Sequence, residues 1–440
     1  MVKPKIIVLD DDPTGSQTVH SCLLLTRWDV ETLVLGLRDA APIFFVLTNT
    51  RALAPEAAAE RVRSVCRHLK QALQLAPQEH WILVSRSDST LRGHYPLETD
   101  VMAAELGPFD AHLLIPAFLE GGRITRDSVH YLIIDGVPTP VHETEFARDS
   151  VFAYHHSYLP DYVAEKTRGG IPAERVERLT LDQIRRGCRE RLLALSGNVC
   201  GVVDAETPED LRQFARDLVA ASQGGKRFLL RSAASILTAL ADLPPQPLPA
   251  DAMAQLRPYP DHPGAVIVGS HVGKTTLQLQ DLLQQPGIEG IEVEVQRLLD
   301  PGGGEPLLGE VNARVQAAFQ AGLTPVVYTS RRELSFPSQQ ERLDFGQRVS
   351  NFLMQVEQHL PAAISFLISK GGITSNDTLS HGLGLAAVRL QGQILPGVSV
   401  VLTPADHPRF PKLPVVLFPG NVGDAQALST VYHRLTQPPA

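Results

Sequence analysis

The sequence predicts an α/β protein of two domains, each a mainly parallel sheet flanked by helices, with a cleft between them. Three observations predict it. Short apolar, β-rich runs recur with helical stretches between them, the pattern of a parallel sheet covered on both faces. At 440 residues the chain exceeds what one hydrophobic core supports. A proline-rich stretch, LPPQPLPADAMAQLRPYPDHPG at Leu243–Gly264, breaks the alternation past the midpoint. Proline there removes donors and fixes φ, so regular structure is not expected. The boundaries follow: a first domain at 1–242, a linker at 243–263 and a second domain at 264–440.

In the first half, strands are predicted at Ile6–Leu9, Ile43–Leu47, Trp81–Val84, Leu113–Ile115, Cys200–Val203 and Phe228–Leu230. Between the second and third lies an amphipathic helix. Val62, Val65, Cys66, Leu69, Ala72 and Leu73 share one face, and Pro55 stands near its first turn. Beyond the linker, strands are predicted at Ala265–Val268, Val326–Tyr328, Ile364–Ile368, Val398–Leu402 and Val415–Phe418. No repeat of solenoid length is visible.

A hydrophobic fraction of 43% and a charged fraction of 20% describe an ordinary globular chain. The net charge of −8 argues against a nucleic-acid partner or an anionic membrane surface. Cys22, Cys66, Cys188 and Cys200 are scattered, which fits a reducing compartment and gives neither a disulfide framework nor a zinc site. No signal peptide and no membrane-spanning run is legible, so a cytoplasmic location is expected. Oligomeric state is not legible; a homodimer is one expectation.

Chemistry gathers where the strands end. Ile6–Leu9 runs into Asp10-Asp11-Asp12-Pro13-Thr14-Gly15-Ser16-Gln17, Ile43–Leu47 into Thr48-Asn49-Thr50-Arg51, and Trp81–Val84 into Ser85-Arg86-Ser87-Asp88-Ser89-Thr90-Leu91-Arg92-Gly93. Ligands of open α/β sheets sit beyond the carboxyl ends of the strands. Taken alone, the aspartate run is as readily a capped turn as a site. Three loops rich in carboxylates, hydroxyls and arginines at one sheet edge favour a polar site.

The second half carries glycine turns in the same position. Gly269-Ser270-His271-Val272-Gly273-Lys274-Thr275-Thr276 follows a strand and opens a helix. It differs from a Walker A loop in spacing, with valine at position 268 where a glycine would stand, so a standard P-loop is rejected. A glycine-hydroxyl turn at a helix N-terminus remains a natural phosphate cradle. Ser369-Lys370-Gly371-Gly372-Ile373-Thr374 and Pro419-Gly420-Asn421-Val422-Gly423 follow two further strands. One such turn alone is more often only a tight connection; three in one domain point to a nucleotide.

These motifs resemble those of the four-carbon acid sugar kinase family along nearly the whole chain. DDDPTGSQ at Asp10–Gln17, TNTRAL at Thr48–Leu53, SDSTLRG at Ser87–Gly93, PAFLEGGR at Pro116–Arg123 and VDAET at Val203–Thr207 resemble its substrate-domain motifs. The turns at Gly269-Ser270, Gly371–Thr374 and Pro419–Gly423 resemble its nucleotide-domain motifs. The resemblance implies an acid-sugar domain followed by a nucleotide domain, and phosphorylation of the 4-hydroxyl of a threonate, erythronate or 3-oxo-tetronate by ATP. By it, one or more carboxylates of the Asp10–Asp12 run, Asp11 among them, with Arg51 and the loop of Arg86, Ser87 and Ser89, hold the acid sugar, and Ser270, Gly371, Gly372, Ile373, Thr374 and Gly420 contact ATP; Arg92 and Gly423 are further candidates for the two sites. Two positions depart from the pattern. Ile373 stands where an acidic residue is common, with Asp377 one turn on as a substitute, and Phe418-Pro419 replaces a Lys-Ser pair, with Lys370 or Lys274 as the alternative cation.

Asp12 or Asp88 is expected to accept or orient the proton of the attacking hydroxyl. Arg51 with Arg86 or Arg92 is expected to pair with the substrate carboxylate. Mg²⁺ is expected to bridge the ATP phosphates, held by water and one carboxylate at most. Two other readings compete. A sugar-acid dehydrogenase lacks support because no GxGxxG follows the first strand. A non-catalytic sensor of acid sugar and nucleotide is motivated by Ile373 and Phe418. His155-His156 reads as a solvated loop, and His142-Glu143-Thr144-Glu145 lacks the second histidine of a zincin. Arg331-Arg332 reads as a short basic doublet on a surface segment, with phosphate as the alternative contact of Arg331, which follows a strand.

Overall fold

The computed structural model describes residues 3–12, 15–300, 302–331 and 334–436. Pro13 and Thr14 of the DDDPTGSQ motif, and Arg332, lie outside the described residues. The chain divides into two compact units, Met1–Pro244 and Pro245–Ala440.

In the first unit the strands are β1 (Lys5–Asp10), β2 (Leu23–Leu25), β3 (Ile43–Leu47), β4 (Trp81–Arg86), β5 (Ala111–Ile115), β6 (Arg123–Arg126), β7 (Val129–Ile134), β8 (Val137–Pro140), β9 (Glu177–Leu179), β10 (Val199–Val203) and β11 (Phe228–Ser232). The main sheet runs β2-β3-β1-β4-β11-β5-β10-β9, with every neighbouring pair parallel. Residues 6–9 and 43–47 are buried on both faces, which is why they read as unbroken apolar runs. The helix Pro55–Leu75 covers one face through Val62, Val65, Cys66, Leu69 and Ala72.

Register aligns the carboxyl ends. Asp10 pairs with Leu47 on one side and Arg86 on the other, Arg86 with Ser232, and Ser232 with Ile115. Two strands run further than their apolar cores suggest, to Arg86 and Ser232, because the ladder continues through the polar residues. The antiparallel β6-β7-β8 ladder was not expected; its half-exposed, mixed sequence carries no clean alternation.

The second unit contains β12 (Ala265–Val268), β13 (Ile288–Val293), β14 (Thr324–Thr329), β15 (Leu367–Lys370), β16 (Ala387–Leu395), β17 (Val398–Leu402) and β18 (Pro414–Phe418). Their order is β13-β14-β12-β15-β18-β17-β16; the pairs from β13 to β18 are parallel, and β17 runs antiparallel to both neighbours. Val268 pairs with Tyr328 and Lys370, and Lys370 with Phe418, so the three glycine turns leave the sheet side by side.

Two expectations are corrected here. The strand expected at Ile364–Ile368 begins at Leu367 and extends to Lys370. Pro263 brings no N–H, and the ladder opens only at the Ala265–Leu367 pair. The proline-rich stretch, expected to lack regular structure, forms 3-10 turns over Ala250–Leu256. Met253 is fully buried in the core of the second unit, and Leu248 and Leu256 pack on it. No helix among the described residues is long and apolar enough to cross a membrane.

Candidate active site

At the carboxyl edge of the first sheet the aspartate run meets the arginines. Arg51 reaches Asp11 by two bonds, Nη2 to Oδ1 at 2.5 Å and Nε to Oδ2 at 3.2 Å, and Asp12 Oδ2 at 3.0 Å through Nη1. Asp11 is 1% exposed and Asp12 25%, so only the latter presents a carboxylate edge to solvent. Asp10 lies beneath them, fully buried, with Arg86 Nη1 at 3.3 Å. Burial pushes Asp10 up to about 7; Arg86 opposes that rise, while the neighbouring charges of Asp11 and Asp12 add to it. Gly15 is required here, since a Cβ at that position would come within 2.2 Å of both Asp10 oxygens.

The loop after β4 completes the cluster. Ser87 Oγ donates to Asp11 Oδ2 at 3.1 Å, and Arg92 Nε to Asp88 Oδ2 at 2.8 Å. Burial alone would raise Asp88, but the charges of Arg51 and Arg92 outweigh it and hold this carboxyl well below the usual range. Arg92 also faces Asp149 at 3.6 Å and lies over the Phe146 ring. Each arginine expected to bind substrate is therefore already paired with a carboxylate of the site.

Three buried donors fix the backbone of this loop. His130 Nε2 bonds the Ser89 carbonyl at 2.7 Å, Tyr154 Oη the Thr90 carbonyl at 2.7 Å, and Tyr162 Oη the Leu91 carbonyl at 2.9 Å. Burial pushes His130 down to about 4, so its ring is neutral, with Nε2–H donating and Nδ1 beside Thr125 Oγ1 at 2.9 Å. His155 and His156 are exposed beside Glu165, as a solvated loop requires. Among the described residues no group of three His, Cys, Asp or Glu side chains converges as a metal site.

Residues that sequence reasoning missed lie at the end of β11 and in the helix Leu97–Leu106. Arg231 and Glu98 form a buried pair, and Arg231 Nη1 also donates to Ser85 Oγ at 2.6 Å. A small cavity opens between Ser87, Asp88, Arg231 and Ser232, walled by the rings of Tyr95 and Tyr162. The available signal was an arginine directly after the apolar run Phe228–Leu230, where an apolar residue would otherwise continue the buried strand.

In the second unit the turns interlock. Thr275 Oγ1 donates to Gly420 O at 3.1 Å and lies 3.2 Å from Ser270 Oγ; Gln278 Nε2 donates to the carbonyls of Val422 at 2.9 Å and Asp424 at 2.7 Å. Lys370, 0% exposed, donates to the carbonyls of Pro419 at 2.5 Å and Gly420 at 3.3 Å. The carbonyls of this turn are held by side chains, whereas among the described residues no acceptor takes the N–H of Gly420, Asn421 or Gly423. A run of open N–H groups is an anion cradle.

Gly371 has φ +126°, and a Cβ there would come within 3.1 Å of Ser270 Cβ; nothing lies within 4 Å of one at Gly372. Ile373 is 61% exposed beside this open surface. Asp377, one turn on, is buried, bonded by Ser350 and by Asn376 Nδ2 at 2.8 Å. Lys370 is likewise a strut of the turn, while Lys274 is the exposed cation, 3.4 Å from Asn421 O. Arg331 donates to Ser270 O at 2.7 Å and braces that turn.

Two family models match the chain in order. Residues 6–240 match the model of a sugar-binding N-terminal domain, and residues 265–428 that of a nucleotide-binding C-terminal domain. A D-erythronate kinase of Heliobacterium modesticaldum is 27% identical over 221 residues, 48% of this chain and 47% of that protein. A D-threonate kinase of Bordetella bronchiseptica is 30% identical over 188 residues, 40% of this chain and 44% of that protein. The matched parts thus span a little under half the length of each relative. Among solved structures, a Salmonella typhimurium LT2 protein described as a tRNA synthase aligns with a TM-score of 0.67 at 18% identity, covering 97% of this chain and 98% of the other. Haemophilus influenzae protein HI1011, of the family DUF1537, aligns with a TM-score of 0.64 at 16% identity, covering 98% of this chain and all of the other. At such identities they speak for the fold alone. With both domain models matched in order along most of its length, the chain belongs to the four-carbon acid sugar kinase family.

Proposed function

We propose that the protein is an ATP-dependent kinase acting on the 4-hydroxyl of a four-carbon acid sugar, such as a threonate, an erythronate or a 3-oxo-tetronate. The observation that carries this reading is the pairing of two chemistries at sheet carboxyl ends. One unit offers carboxylates, hydroxyls and guanidinium groups to a small polar acid, and the other offers open backbone N–H groups to phosphate.

Phosphoryl transfer asks the protein for positioning and charge neutralisation more than for covalent chemistry. In this reading Ser270, Gly371, Gly372, Ile373, Thr374, Gly420 and Gly423 line the nucleotide, and Lys274 meets its phosphates. Asp11, Arg51, Arg86, Ser87, Ser89 and Arg92 build the sugar site. Asp12 is the better choice of base than Asp88. Asp88 is held far below the carboxylate range by Arg51 and Arg92, and so has little affinity for a proton. Asp12 keeps an exposed edge and is oriented by Arg51. Mg²⁺ would be held mainly by the nucleotide phosphates and water, and would neutralise charge on the transferred group.

A coupled ADP-release screen over threonate, erythronate and their 3-oxo relatives, in both enantiomeric series, tests the proposal. Turnover with at least one acid and none with NAD supports it. Binding of acid and nucleotide without ADP release returns the protein to the sensor reading.

A further inference from the structure

We infer that Arg231 is the residue that recognises the substrate carboxylate, and so sets the preference for an acid over a neutral sugar. The inference deepens the kinase reading and rests on its sugar site. The guanidinium groups of Arg51, Arg86 and Arg92 are bound to Asp11 and Asp12, to Asp10, and to Asp88. Arg231 differs. Its side chain is 8% exposed, and Nη1 alone is engaged, by Glu98 and by Ser85 Oγ. Among the described residues nothing accepts from Nε or Nη2, and Arg231 lines the cavity with Ser87, Asp88 and Ser232.

The direction of the open edge is set by Gly93. A Cβ at Gly93, whose φ is +123°, would lie 2.7 Å from Ser87 Oγ, 2.8 Å from Arg231 Nη2 and 3.1 Å from Asp11 Oδ2. The space that glycine leaves is thus ringed by a cation, a hydroxyl and a carboxylate. Nε and Nη2 form the planar fork that binds a carboxylate through two parallel bonds. Glu98 does not consume that capacity. Its charge is shared with Thr50 and Ser85, both of which donate to it, and it holds the guanidinium by the opposite nitrogen. A ligand carboxylate entering the cavity would complete that edge. The Ser232 hydroxyl, without a partner among the described residues, is left for a sugar hydroxyl.

Arg231→Lys is the informative variant, since an ammonium still reaches Glu98 and Ser85 but offers no fork. Titration calorimetry compares D-erythronate with erythritol, and D-threonate with D-threitol, on the wild-type protein and on Arg231→Lys. Melting curves check folding, and Arg231→Met combined with Glu98→Gln serves as a second variant that leaves no buried carboxylate unpaired. The expected result is a wild type that prefers an acid to its alditol, a preference that falls roughly 100-fold in both variants, and unchanged ATP affinity. A preference kept in both variants overturns the assignment and leaves the kinase reading intact, as does a wild type that binds acid and alditol alike. Loss of the preference in a protein that releases no ADP supports the anchor and rejects the kinase. A wild type that binds none of these acids overturns both.

Discussion

Lys370 and Phe418 are register partners on neighbouring strands, and the Lys370 ammonium lies 4.1 Å from the centroid of the Phe418 ring. From there it bonds the two carbonyls that open the Pro419–Gly423 turn. A charge buried this way is stabilised by the ring face and by carbonyl acceptors instead of water.

Lys370→Met should release both carbonyls and loosen the nucleotide turn. The expected effect is a rise in KM for ATP on the order of tenfold, with KM for the acid unchanged. Steady-state kinetics with each substrate varied in turn reads the difference. Lys274→Met, at the exposed cation, should raise KM for ATP as well but leave the melting temperature unaltered.

Lys370 also makes stability depend on pH. Burial, with the nearby charge of Lys274, lowers it from 10.5 to about 7. Between those values the unfolded chain holds the extra proton, so this residue makes stability rise as pH climbs from about 7 towards 10. Denaturant melts of wild type and Lys370→Met should diverge over that window in favour of the wild type, and run parallel below it.

Asp10 acts with the opposite sign. Its folded value of about 7 stands above the ordinary carboxylate value of 3.8, so the folded protein holds the proton between them. Its contribution is complete below about 4 and is lost as pH rises through 7, by on the order of 4 kcal/mol. Asp10→Asn mimics the protonated form and should gain on the wild type by that order between pH 4.5 and 7.5. Equal pH profiles would mean that Arg86 keeps Asp10 ionised throughout.

Gly93→Ala should disable the sugar site while sparing the nucleotide turn. The residue has φ +123°, and a methyl group would meet Ser87, Arg231 and Asp11 at 3.1 Å or less. Backbone strain alone costs about 1–3 kcal/mol. Calorimetry should find acid binding lost and ATP binding retained.

The two aspartates should separate by the kinetic constant they affect. Asp12→Asn is expected to lower kcat by about 10²–10⁴ with little change in KM. Asp88→Asn leaves Arg92 and Arg51 without their shared counter-charge, and should raise KM for the acid more than it lowers kcat. Equal, modest losses in both would reject Asp12 as the base.

Much of the fold was legible because parallel strands buried on both faces read as apolar runs, and their polar ends mark the sheet edge. What escaped the sequence depends on distant partners. The reading of β11 stopped at Leu230, and so passed over Arg231, whose role appears only when Glu98 and Gly93 lie beside it. His130, Tyr154 and Tyr162 looked like ordinary residues, yet each holds one successive carbonyl of the Ser89–Leu91 segment from 41 to 71 positions away. β13 and β16 were missed for another reason: glutamates, glutamines and glycines dilute their apolar residues.

The product of a single prolonged incubation decides the matter most directly. A proton-coupled phosphorus spectrum should show one new phosphomonoester, formed in step with ADP and split by the two methylene protons on carbon 4 of the acid. Inorganic phosphate as the sole new signal, or an unchanged spectrum with both ligands bound, would contradict the account.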